Sequence, residues 1–96
     1  MSPKNKKKLT IQRKKLDKLD NKLLSIIKIR TEIIKKVISL KNNKKEIVDK
    51  KRIAFILRKI KKASIKRNID PTITKKIWKN MIWSYIDFER KAFKEK

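Results

Sequence analysis

From Leu9 to Lys41 the chain carries an apolar repeat at steps of three and four, with no glycine and no proline after Pro3. That spacing predicts one unbroken helix of about 33 residues, roughly 50 Å long at 1.5 Å per residue. Its stripe runs Leu16, Leu19, Leu23, Ile26, Arg30, Ile34, Val37, Lys41, so two cations occupy positions where an aliphatic side chain is expected. A charge on a buried face is costly unless an opposite charge meets it.

Asn42-Asn43 is the expected stop of this helix. In a chain without glycine, asparagine is the best residue for a left-handed cap. Residues 42–48 read as a loop. Asp49 is positioned to cap a second helix ending near Lys66, with Arg52, Ile56, Leu57 and Ile60 facing inward. Asn68 ends that helix. Asp70-Pro71 then opens a third, an N-cap followed by proline at the first helical position. It runs to about Phe93, with Ile77, Trp78, Met81, Ile82, Tyr85 and Phe88 apolar.

No strand pattern and no internal repeat interrupts this reading. The fold class is all-α, three helices with one very long. Residues 1–8 are basic and polar and read as a disordered tail, with the helical domain over 9–96. The two shorter helices cannot cover the long one from end to end. The rest of its stripe calls for a second copy of the chain, an intertwined helical homodimer.

Several function classes drop out on composition. There is no cysteine and no histidine, so disulfides, thiolate metal sites and the commonest general base are unavailable. No metal and no cofactor is expected. The opening Met-Ser-Pro-Lys-Asn-Lys-Lys-Lys lacks the apolar core of a signal peptide, and no apolar run reaches the length of a membrane span. The expected location is the cytoplasm. The net charge of +23 is compatible with nucleic acid, an anionic surface or a small acidic substrate. Abundant lysine, isoleucine and asparagine beside scarce alanine also look like A/T-rich coding drift. The charge total therefore carries less than the position of individual cations.

Along Trp78, Ile82, Tyr85, Glu89 and Ala92 the steps are again three and four, which sets a carboxyl group on an apolar stripe. Arg30, Lys41, Arg52 and Glu89 thus converge from three helices. One account is an internal ion-pair network. Another is that the long cations snorkel to water from the stripe edge. A third is a ligand site, because a single acid cannot neutralise three bases.

The segment Arg13-x-x-Leu16-Asp17-x-Leu19-Asp20-x-x-Leu23-x-x-Ile26-x-x-x-Arg30 resembles the opening helix of the all-helical class of chorismate mutases. Lys41 falls where that family carries its catalytic lysine. Asp49-x-x-Arg52 resembles the start of its second helix, and Asp70-Pro71 with Ile77-Trp78-x-x-Met81-Ile82 resembles its third. The resemblance covers about residues 9–93. It implies an intertwined dimer with two equivalent sites, each built from both chains. Arg13 then reaches in from the partner subunit to join Arg30 on the carboxylates of chorismate. Arg52 and Asp49 complete the binding set. Lys41 sits near the ether oxygen, and Glu89 takes the place of a second donor to it.

The implied reaction, chorismate to prephenate, is a unimolecular pericyclic rearrangement. It requires no nucleophile, proton shuttle, metal or cofactor. Arginine clamps can hold the compact reactive shape, and a fixed cation can stabilise charge growing on the ether oxygen.

Two positions depart from the family pattern. Glu89 stands where most members carry glutamine, and an ionised carboxylate cannot donate a hydrogen bond. Glu89 is therefore expected to act protonated. Ile53 stands where many mutases carry a glutamate that binds the ring hydroxyl. In this, and in the aromatic flavour of Tyr85-Ile86-Asp87-Phe88, the chain also resembles a related branch, the isochorismate-pyruvate lyases. Tyr85 reads equally as a pocket residue or a core tyrosine. A nucleic-acid-binding reading rests on Lys4–Lys8, Arg58-Lys59 and Lys61-Lys62, and is the less favoured one because no recognition motif accompanies them.

Overall fold

The computed structural model describes residues 1–94. Three α-helices follow one another, α1 (Pro3–Ser39), α2 (Lys50–Lys66) and α3 (Pro71–Ala92), with a 3-10 turn at Lys44–Glu46 between the first two. No strand occurs among the described residues. No helix among them is long and apolar enough to cross a membrane.

The long helix is longer than its apolar stripe. α1 has 37 residues, roughly 55 Å at 1.5 Å per residue. It takes in residues 3–8, which sequence reasoning assigned to an irregular tail. The reason lies in Ser2-Pro3. The Ser2 hydroxyl accepts from the Asn5 N–H at 3.2 Å and the Ser2 carbonyl from the Lys6 N–H at 2.9 Å, while Pro3 occupies the first helical position. The tail is thus a capped first turn.

The other end of α1 also differs from expectation. Regular helix stops at Ser39, and neither Asn42 nor Asn43 takes a left-handed conformation; Asn43 is extended at φ −146°. Bonds of the tighter i to i−3 type, Leu40 N–H to the Val37 carbonyl and Lys41 N–H to the Ile38 carbonyl, draw the last turn in. Lys41 therefore stands just past the helix rather than on its stripe. Glu46 then organises the connection. Its carboxylate accepts from the Asn42 N–H at 3.0 Å and from the Asn43 side-chain amide at 3.4 Å.

The described chain divides into two compact units, Met1–Ile34 and the residues from Lys35 onward. The first is helix alone. Its apolar stripe is open to solvent, with Leu16, Leu19, Leu23 and Ile26 all more than half exposed. The second unit holds the buried apolar residues: Ile38, Ile47, Ile82, Ile86 and Phe93.

Within the second unit, α2 and α3 form a helical hairpin. The turn between them is a Schellman motif: the Ile69 N–H reaches the Ser64 carbonyl and the Asn68 N–H the Ile65 carbonyl. Asn68 supplies the required left-handed residue at φ 55°. Asp70 then caps α3, accepting from the Thr72 N–H at 2.9 Å and the Thr72 hydroxyl at 2.7 Å. Those bonds, the side-chain one first, hold its carboxyl below the ordinary aspartate range. Between the helices the buried Ser64 and Thr74 hydroxyls meet at 2.7 Å. Each hydroxyl also has a carbonyl to donate to, Ile60 at 2.6 Å for Ser64 and Pro71 at 3.3 Å for Thr74, so either can be the donor in the pair.

Candidate functional site

The second unit brings together two of the residues singled out from sequence. Lys41 Nζ donates to Glu89 Oε2 at 3.1 Å. Their side chains are 18% and 7% exposed, so the contact is largely removed from water. Lys41 reaches it from the segment after α1, where the tightened last turn leaves it. Glu89 reaches it from the buried ridge of α3 that also carries Ile82 and Ile86. A charge-assisted bond at this depth is stronger than its surface equivalent, because little water screens it.

Lys41 and Asp49 also line one open cleft of about 620 Å³, with Lys45, Glu46, Lys50 and Lys51. Four cations therefore face it against two carboxylates. Both carboxylates are engaged by the chain itself: Glu46 by Asn42 and Asn43, and Asp49 by the Arg52 N–H at 3.0 Å, where it caps α2. Those bonds leave both carboxylates charged, and Lys41 is paired with Glu89, so four lysines against three acids leave an excess of one positive charge at the cleft.

The remaining predicted residues fall elsewhere. Arg52 is exposed rather than inward, and its guanidinium lies over the Phe55 ring, 5.3 Å from the centroid. Position 52 sits on the first turn of α2, outside the buried ridge that Ser64 marks, so the ring of the next turn takes the place of a buried neighbour. Ile53 is half-buried beside it. Tyr85 is half-buried one turn before Glu89, and Trp78 is half-buried while Trp83 is exposed. In the first unit, Arg30 is half-buried and Arg13 is exposed.

Sequence reasoning missed Lys45, Lys50, Lys51 and Phe55. The lysines had no signal apart from their neighbours in a lysine-rich chain. Phe55 had one, because a ring three residues after an arginine on a helix lies on the same face. Among the described residues no group of three His, Cys, Asp or Glu side chains is arranged to hold a metal.

Three helices, no strand among the described residues, and a half-hidden lysine–glutamate pair beside a lysine-rich cleft define an all-α protein. Comparison with known families is more specific. A family model described as chorismate mutase type II matches residues 12–90, and the chain belongs to that family. No curated protein and no solved structure matches. Membership supports a chorismate mutase-like, isomerase-type activity and gives the three helices their class, the all-α chorismate mutase type II fold.

Proposed function

We propose that the protein converts chorismate to prephenate, using Lys41, Glu89 and Arg30 as catalytic residues and Arg13, Asp49, Arg52, Ile53 and Tyr85 as further substrate contacts. The observation that carries this reading is the Lys41–Glu89 pair at 3.1 Å within a chain of this family. The family resemblance assigns a lysine and a second donor to the ether oxygen, and here those two positions are in contact. In this proposal the domain is residues 9–96, the basic segment 1–8 precedes it with residues 3–8 continuing α1, and the location is the cytoplasm.

In this reading the arginines bind the two carboxylates and hold the substrate folded. Arg30 serves from one protomer and Arg13 of the partner subunit from the other. Lys41 donates to the ether oxygen as its bond to carbon weakens. Charge grows there in the transition state, so Lys41 interacts more strongly with that state than with the bound substrate. Glu89 accepts from Lys41 in the free chain, and it would act as the second donor only when it carries a proton. Ile53 gives no polar contact to the ring hydroxyl, and the chain dispenses with that bond.

The exposed stripe of the first unit supports a second copy of the chain. Leu16, Leu19, Leu23 and Ile26 are more than half exposed, a larger apolar stripe than a monomer ordinarily leaves open. A matching stripe on a second copy covers it, giving a homodimer.

The test is turnover. Purified protein in dilute solution is expected to abolish the ultraviolet absorbance of chorismate with formation of prephenate. Arg30→Ala and Lys41→Ala are each expected to lower turnover by about two to four orders of magnitude. Isochorismate is assayed separately. Release of pyruvate from isochorismate, with no prephenate from chorismate, would assign the chain to the isochorismate-pyruvate lyase reaction and overturn the mutase assignment.

A further inference from the structure

A second cleft, of about 520 Å³, lies between α2 and α3. Its lining separates by depth. Leu57, Ile60 and Pro71 are half-buried and form an apolar floor. Arg58 and Lys61 on α2, and Lys75 and Lys79 on α3, are exposed and stand along its two sides. On each helix the two cations are one turn apart. No acidic residue lines the cleft. The nearest in sequence, Asp70, is committed to capping Thr72.

We infer that this groove docks a short amphipathic helix of a partner protein whose apolar stripe is flanked by carboxylates. The arrangement of an apolar strip between two rows of like charge is the complement of such a helix, with leucine-type anchors at steps of three and four and acids on either side. From Pro71 to Lys79 is about 12 Å at 1.5 Å per residue, room for roughly two turns. A second copy of this chain does not fit. Its net charge is +23, and among the described helical residues only Asp17 and Asp20 stand one turn apart, both on the same side of the leucine stripe of α1, whose other side carries Lys15 and Lys22. Nucleic acid fits less well, because the floor is apolar and Trp78 is half-buried outside the groove, so phosphates would meet only the rim. The groove shares no lining residue with the cleft at Lys41, so the inference stands apart from the assigned reaction.

The experiment uses the full chain and a fluorescein-labelled synthetic peptide of about 14 residues, with leucines at steps of three and four flanked by glutamates. A scrambled peptide of the same composition serves as control, and a duplex DNA of equal charge as competitor. Lys61→Glu/Lys75→Glu reverses one charge on each side of the groove. Lys14→Glu/Lys18→Glu makes the same net change on α1. Circular dichroism verifies that both variants stay helical. The patterned peptide is expected to bind at least about tenfold more tightly than the scrambled one, and to lose about tenfold in affinity with the groove variant but not with the α1 variant. Equal binding of the two peptides, or equal losses with the two variants, would reduce the interaction to net charge and overturn the proposal. Duplex DNA that binds more tightly than the peptide and responds to the groove variant would make this a nucleic-acid surface instead.

Discussion

Lys41 Nζ and Glu89 Oε2 lie 3.1 Å apart although 48 residues separate them in the chain. The contact joins the segment after α1 to the last turn of α3. Removing one partner leaves the other charge in a poorly hydrated place. Lys41→Met is expected to lower stability by roughly 3 kcal/mol, and the double change Lys41→Met/Glu89→Gln to recover most of it. Urea unfolding of the four species measures this. A double variant no more stable than the single one would mean that the pair is not coupled.

The same pair sets an expectation for a neutral side chain at position 89. A carboxylate only accepts hydrogen bonds, whereas a glutamine amide also donates one. Glu89→Gln is therefore expected to keep or raise turnover of chorismate. A Glu89→Gln enzyme that loses turnover about a hundredfold or more would remove the second-donor role from position 89.

Among the described residues of this glycine-free chain Asn68 is the one at positive φ, at 55°. Asparagine tolerates this conformation and glycine adopts it without a Cβ clash, whereas a β-branched residue resists it. Asn68→Gly is expected to raise the thermal midpoint or leave it unchanged. Asn68→Val should destabilise by about 1–2 kcal/mol. Calorimetry of the two variants gives the comparison directly.

The Ser64–Thr74 hydroxyl pair is the polar link inside the α2–α3 hairpin. Thr74→Val removes one hydroxyl of the pair and leaves Ser64 without that partner, an expected loss of about 1–2 kcal/mol in urea unfolding. Adding Ser64→Ala should recover part of it, because no half-satisfied hydroxyl then remains. The Schellman turn follows Ser64 directly, so a full loss of the hairpin is not expected.

Asp70 gives the acid dependence of folding. Its carboxyl is held below the usual 3.8 by the Thr72 hydroxyl and N–H. The group binds its proton less readily folded than unfolded, so its stabilising contribution is present above 3.8 and lost as pH falls through the lower folded value. Asp70→Asn keeps a capping oxygen but cannot titrate. The variant should lose less stability than the wild type between neutral pH and strongly acid solution, as read by thermal melts.

Local chemistry was legible without the fold. The Asp49 and Asp70-Pro71 caps, the stop at Asn68 and the bounds of α2 and α3 follow from a few neighbouring residues each, and the structure has them where those residues predict. The end of α1 was not. Asn42-Asn43 looks like a stop signal, but the i to i−3 bonds at Leu40 and Lys41 close the helix earlier. Ser2-Pro3 is a start signal of the same kind as Asp70-Pro71, placed just ahead of the basic run.

The sequence by itself determined that the chain is helical, where two of its helices begin and end, and that a small set of cations and one carboxyl group stand out from the lysine background. Periodicity and capping are local, so one strand of text suffices to read them. Only the tertiary structure decided that Lys41 meets Glu89, that Arg52 rests on Phe55 at the surface, and that α2 and α3 leave a basic groove between them. Those outcomes depend on how far a turn is tightened and which ridge of a helix is buried, and both are settled by packing between segments that the sequence keeps apart.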